Sequence, residues 1–156
     1  MRRFVRVFLL CSLLLAGCST DVVLNEFVAL NQNGLIGPSG SPDWIELYNV
    51  SGGEVTLDDW FISDDVGLPE KAPLAGLTVP ANGHLLLIAS GDPTLGDNHL
   101  PFRLNGEGET IVLTGPQGSG DEVTYYVQQP DVAMARIPDG TGDWVEATPT
   151  PGAANQ

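Results

Sequence analysis

Residues 43–65, DWIELYNVSGGEVTLDDWFISDD, hold two tryptophans and seven carboxylates with no lysine, arginine or histidine. Such a run reads either as an acidic site flanked by aromatics or as the framework of a β fold. Along WIELYNV (44–50), Trp44, Glu46 and Tyr48 alternate with Ile45, Leu47 and Asn49. Period two is the signature of an extended strand, here with one aliphatic face and one that mixes aromatic and acidic groups. SGGE (51–54) supplies two glycines, free to adopt the positive φ that tight hairpin turns require. VTLDDWFIS (55–63) then returns as a second strand. The stretch is expected to be a β-hairpin with Trp60 in the core and Trp44 half exposed. Its carboxylates are expected mostly in loops and on the outer face, and Asn49 as a turn residue, although Asn49–Ser51 also matches the N-x-S acceptor pattern.

The same reading extends in both directions. DVVLNEFVAL (21–30), LAGLTVP (74–80), HLLLIAS (84–90), PFRLNGEGETIVLTG (101–115, two short strands), DEVTYYVQ (121–128), VAMARIP (132–138) and DWVEA (143–147) are rich in β-formers. Gly, Pro, Asn and Asp punctuate them, ANG (81–83) reads as another turn, and no segment carries a helical period. Many short strands at spacings of about ten residues predict an all-β sandwich or barrel. The last residues, TPTPGAANQ (148–156), are expected to be extended and poorly suited to packing.

The N-terminus is of another kind. Arg2, Arg3 and Arg6 precede an apolar run, Val7 to Leu14, and then Leu15-Ala16-Gly17-Cys18. That run is shorter than the roughly 20 residues a membrane-spanning helix needs, and it reads as an export signal. The four residues 15–18 resemble the lipobox of bacterial lipoproteins, which implies cleavage before Cys18 and a lipid on its thiol. Ser19, where an aspartate would imply inner-membrane retention, favours the outer membrane of a Gram-negative cell. The expected organisation is a signal peptide over 1–17, a lipidated N-terminus and short tether over 18–20, a sandwich over 21–148 and a tail over 149–156. After cleavage Cys18 is the sole cysteine, so a disulfide, a thiol nucleophile and a cysteine metal cluster are all excluded. Lys71, Arg103 and Arg136 then face all 20 acidic residues, a formal charge of −17. Such a charge repels phosphate backbones, so nucleic acid is not an expected partner.

The order of VVLNEF, DWIELYN, LDDWFISDD, VPANGHLLLIASG, LNGEGETIVL, DEVTYY, ARIPDGTGDW and TPTPGAAN resembles the lamin-tail domain family in its bacterial secreted form. The likeness covers nearly all of residues 21–155. LDD (57–59) departs from the Leu-Ser-Gly common in the family before the tryptophan, a change expected to alter a turn and not the fold. The resemblance implies an immunoglobulin-like β-sandwich and a binding or anchoring module without enzymatic activity. The expected role is therefore contact with a protein or surface partner at the cell envelope, with the membrane reached through the lipid.

The residues give the chemical alternatives less support. His84 opens a strand and His99 lies in a loop, both expected to be surface or edge residues, and Gly-x-Ser-x-Gly is absent. No glycine-rich turn opens a helix, and no histidines or cysteines stand at zinc spacing. Calcium, which takes oxygen ligands, is the main alternative and would make the protein a calcium-dependent adhesion module. Its candidate ligands are Asp58, Asp59, Asp64 and Asp65, with Asp43, Glu46, Asp92 and Asp97; none follows the twelve-residue calcium loop, and no cofactor is assigned. Carboxylate-based hydrolysis by a pair such as Glu46 with Asp64 requires a defined separation and a cleft. An exposed Trp44/Tyr48 pair would offer a sugar or protein contact. Trp144 is expected to fasten the last strand, and Tyr125 and Tyr126 to point to opposite faces.

Overall fold

The computed structural model describes residues 20–37 and 40–156; Cys18 and the signal before it lie outside the described residues. The strands are β1 (Val22–Val28), β2 (Asp43–Asn49), β3 (Val55–Thr56), β4 (Phe61–Ser63), β5 (Ala72–Pro73), β6 (Thr78–Val79), β7 (His84–Ala89), β8 (Thr110–Thr114), β9 (Gly120–Thr124), β10 (Ala133–Ile137) and β11 (Asp143–Ala147). All of their pairings are antiparallel. A five-stranded sheet runs β11-β10-β1-β2-β7, a four-stranded sheet β5-β4-β8-β9, and β3 pairs with β6 beside them. Two short 3₁₀ turns, Pro93–Leu95 and Pro116–Gly118, are the only helical segments among the described residues.

One contiguous core joins the two larger sheets. Phe27, Ile45, Leu47 and Leu87 enter it from the five-stranded sheet, and Ile62, Ile111, Leu113 and Val123 from the four-stranded one. Trp60 is 4% exposed, as expected from its place beside Phe61 and Ile62. Its ring lies so close to Gly115 that a Cβ there would stand 2.8 Å from two ring carbons, so only glycine fits.

A bulge in β1 decides which residues face this core. Leu24 pairs with Leu47 and Glu26 with Glu46, so Asn25 is one residue too many for the ladder. The extra residue shifts the side-chain alternation: Val22 and Leu24 point inward before it, and Phe27 and Ala29 after it. Glu26 and Val28 are thereby turned to the outer face.

The hairpin expected over 43–65 does not form. β2 joins the five-stranded sheet, β3 pairs with β6, and β4 joins the opposite sheet. The edge of β2 that β3 would have used is taken by β7. The chain instead crosses between sheets at Leu57-Asp58-Asp59, where the Trp60 N–H bonds the Leu57 carbonyl. Asn49 is not an exposed turn residue: it is buried, its amide donates to the carbonyls of Gly53 and Val79, and its Oδ1 accepts from Ser51. LTVP and HLLLIAS likewise belong to different sheets. PFRLNGEGETIVLTG yields one strand instead of two, because Phe102 and Leu104 are buried from a loop.

Removing the Trp60 ring leaves a cavity between the sheets. Trp60→Ala is expected to lower the unfolding free energy by about 3–5 kcal/mol in urea denaturation. A loss below about 1 kcal/mol would contradict this packing.

Candidate functional site

The bulge that turns Glu26 outward sets it directly opposite Glu46. Both carboxylates are fully buried, Glu46 included, although its strand position predicted an outer-face group. A buried charge needs hydrogen-bond donors in place of water. Here they come from the C-terminal segment, which lies across the outer face of the sheet. The Thr150 N–H donates to Glu26 Oε1 (2.9 Å) and the Gly152 N–H to Glu46 Oε2 (2.5 Å). Asn155 fastens the end of the segment: its N–H donates to Asp139 Oδ1 (3.0 Å), and its side-chain amide to the carbonyls of Asn25 and Arg136. The expectation that TPTPGAANQ packs poorly is therefore corrected. The segment is short of apolar side chains, but its backbone N–H groups are what the two glutamates require.

Asn25, the bulged residue, ties the cluster together. Its amide donates to Glu46 Oε1 and Asp139 Oδ1, both at 3.2 Å, and its Oδ1 accepts the Gly140 N–H at 2.9 Å. Gly140 has φ +69°, and a Cβ there would come within 2.7 Å of Tyr48 and Val50. His84 Nε2 lies 3.2 Å from Asp139 Oδ2 and 3.9 Å from Glu46 Oε1, with its ring 4.9 Å from that of Tyr48. His84 does open an edge strand, yet it is half-buried and held by its neighbours. Burial, partly offset by the Thr150 hydrogen bonds, raises the Glu26 pKa to about 7, and burial raises that of Glu46 as well. Sealed from solvent and fully bonded, the two carboxylates act as a fastening for the tail and offer no opening to a substrate.

Trp44 lies on the same outer face and is buried, not half exposed. It forms a second apolar cluster with Val28, Ile88 and Ala133, against which Leu35 and Leu86 pack. No exposed Trp44/Tyr48 pair is therefore offered. Two surface recesses border the cluster instead. One, about 280 Å³, lies between Leu35, Trp44, Pro149 and Pro151; the other, about 180 Å³, between Ile36, Pro42, Leu86, Ile88 and His99. Ile36 is 73% exposed at the rim. Tyr125 is buried against Phe27 and Tyr126 is 80% exposed, on opposite sides as expected. Trp144 packs on Phe27 and beneath the Arg136 guanidinium.

The remaining acidic candidates are dispersed. Asp64 pairs with Lys71 at 2.6 Å, Asp65 accepts the Gly67 N–H, and Asp58 accepts the Gly76 N–H. Asp92 caps the turn at Thr94, while Asp59 and Asp97 are exposed. Glu46 lies on the five-stranded sheet, whereas Asp64 lies in the bend that follows β4 of the opposite sheet. Among the described residues no three His, Cys, Asp or Glu side chains gather as a metal-binding group.

These features define an antiparallel, all-β, immunoglobulin-like sandwich. Residues 18–129 match the Lamin Tail Domain, and the chain belongs to that family. No curated protein and no solved structure gives a significant match. The matched span stops short of β10, β11 and the tail that covers the glutamates.

The raised Glu26 pKa has a definite sign. Near pH 4.5–7 the unfolded chain releases this proton while the folded one retains it, so stability falls as pH rises through that window and levels off above about 7. Glu26→Gln keeps an acceptor for Thr150 and removes the charge. The variant is expected to match the parent near pH 5 and to exceed it by about 1–3 kcal/mol near pH 8. Equal urea midpoints for both proteins at pH 8 would refute the assignment.

Proposed function

We propose that the chain is a non-enzymatic, lipid-anchored protein of the cell envelope, whose sandwich makes a protein or surface contact at the end remote from its anchor. Leu15-Ala16-Gly17-Cys18 supports the anchor, and a bacterial lipoprotein carries more than the single acyl chain that would bind a membrane only marginally. Ser19 supports the outer membrane in a Gram-negative cell. No resident metal or cofactor takes part, and the net charge disfavours nucleic acid.

The observation that carries the proposal is polarity along the sheet. Thr20 Oγ1 donates to the Gly120 carbonyl at 3.1 Å and the Val50 N–H to the Asp21 carbonyl at 2.8 Å. The chain coming from Cys18 thus enters beside the end of β2. Exposed Ile36 and the recess under it adjoin the start of β2, a strand length or roughly 20 Å away. With only Ser19, Thr20 and Asp21 between the lipid and the first strand, this apolar end faces away from the bilayer.

In cell fractionation, Cys18→Ala should move the protein from the membrane to the soluble fraction, and unchanged retention would sink the anchoring. Cross-linked envelope extract offered to the full-length Cys18→Ala chain should yield a partner that the added Ile36→Asp change loses. Equal capture with and without that change would remove the apolar end from consideration.

A further inference from the structure

Of the three basic residues that follow the signal, two are occupied: Lys71 by Asp64, and Arg136 by Asp121 at 3.1 Å. Arg103 makes no ion pair among the described residues. Its Nε donates to the Ser90 carbonyl at 2.9 Å. Its aliphatic stem lies over Gly91, where φ is +77° and a Cβ would come within 3.3 Å of Arg103 Cγ. One edge of the guanidinium is thus pinned, and the two terminal nitrogens make no hydrogen bond to a described residue.

Beside it is a small cavity of about 60 Å³, lined by Ser41, Pro42, Asp43, Ala89, Ser90 and Arg103. A single water needs roughly 10–15 Å³ on this scale, so the space admits about four or five heavy-atom groups. Asp43 contributes a half-buried carboxylate. Its Oδ1 accepts the Asn31 N–H at 2.9 Å, while Oδ2 has no partner among the described residues. The cavity is therefore lined by one guanidinium-bearing and one carboxylate-bearing side chain, of opposite charge, around a space of a few atoms.

Charge narrows what fits. A guanidinium fork is suited to a carboxylate, yet a plain anion would meet Asp43 and the repulsion of a chain with 20 acids. A plain cation would meet Arg103. A molecule bearing both charges on adjacent atoms escapes both objections, and it is neutral at long range.

We propose that this cavity binds the head of an α-amino acid, with the carboxylate on the Arg103 terminal nitrogens and the ammonium on Asp43 Oδ2. Arg103 selects the anionic half and Asp43 the cationic half; the cavity volume limits what else enters. The head belongs either to a free amino acid or to the zwitterionic end of a larger molecule. Ile36 does not line this cavity and the test uses the unlipidated chain, so its outcome is independent of the apolar contact and of the anchor.

The test is a titration of the full-length Cys18→Ala chain, read by nuclear magnetic resonance at the Arg103 side-chain N–H and the Asp43 amide. Glycine should give saturable shifts in the millimolar range. Acetate and ethylammonium, each carrying one half of the charge pattern, should bind at least about tenfold more weakly, the equivalent of one ion pair. Asp43→Asn retains the acceptor for Asn31, so the fold is kept; it should weaken glycine about tenfold and bring acetate level with it. Arg103→Gln should abolish both. Nε-acetyl-lysine carries the same head on a long chain: binding equal to glycine assigns the head of a larger molecule, and binding of glycine alone assigns a free amino acid. No saturation with glycine, or shifts from acetate or ethylammonium equal to those from glycine in the parent, would overturn the proposal. So would an Asp43→Asn variant that binds glycine unchanged.

Discussion

Two carboxylates buried opposite one another, Glu26 and Glu46, organise the outer face of the five-stranded sheet. Like charges at a directly opposed strand position repel, and burial removes the water that would screen them. The bulge at Asn25 creates the opposition, and the same residue begins its resolution through its amide contact with Glu46. The rest comes from backbone N–H groups at Thr150 and Gly152. A face that alternation marks as solvent-facing is thereby converted into a second interior, with Trp44 and Val28 continuing it on apolar terms.

Period-two alternation made much of the fold legible. It separated the inward Ile45 and Leu47 from Trp44, Glu46 and Tyr48, while aromatic size and the neighbours Phe61 and Ile62 marked Trp60 for the core. It did not say which strand lies beside which. Residues 43–65 have the composition of a hairpin, but Asn49 fastens the chain to Gly53 and Val79 and β7 occupies the edge of β2. Burial of Glu46 was hidden for a related reason, since its donor at Gly152 is 106 residues away. A local signal did exist: Asn25 and Glu26 interrupt an apolar strand, VVLNEFV, and two adjacent polar residues there mark a bulge. The Arg103 cavity had no such mark, because it joins the start of β2 to the loop after β7.

The charge of the chain is less uniform than its total. Most carboxylates are solvated or bonded to nearby turn N–H groups, as at Asp65 and Asp92. Two of the basic residues are used in ion pairs that hold local structure. The basic side chain beside Asp43 in the cavity is Arg103, its guanidinium held by Ser90 and its stem lying over Gly91.

Because a polypeptide is made from its N-terminus, β1 and β2 are complete long before residues 150–155 exist. Until that segment arrives, Glu26 and Glu46 lack their principal backbone donors, and water solvates the two carboxylates on an open sheet face. The clasp thus discriminates by length: a product cut short ahead of Thr150 retains its core strands but not the closure of its outer face.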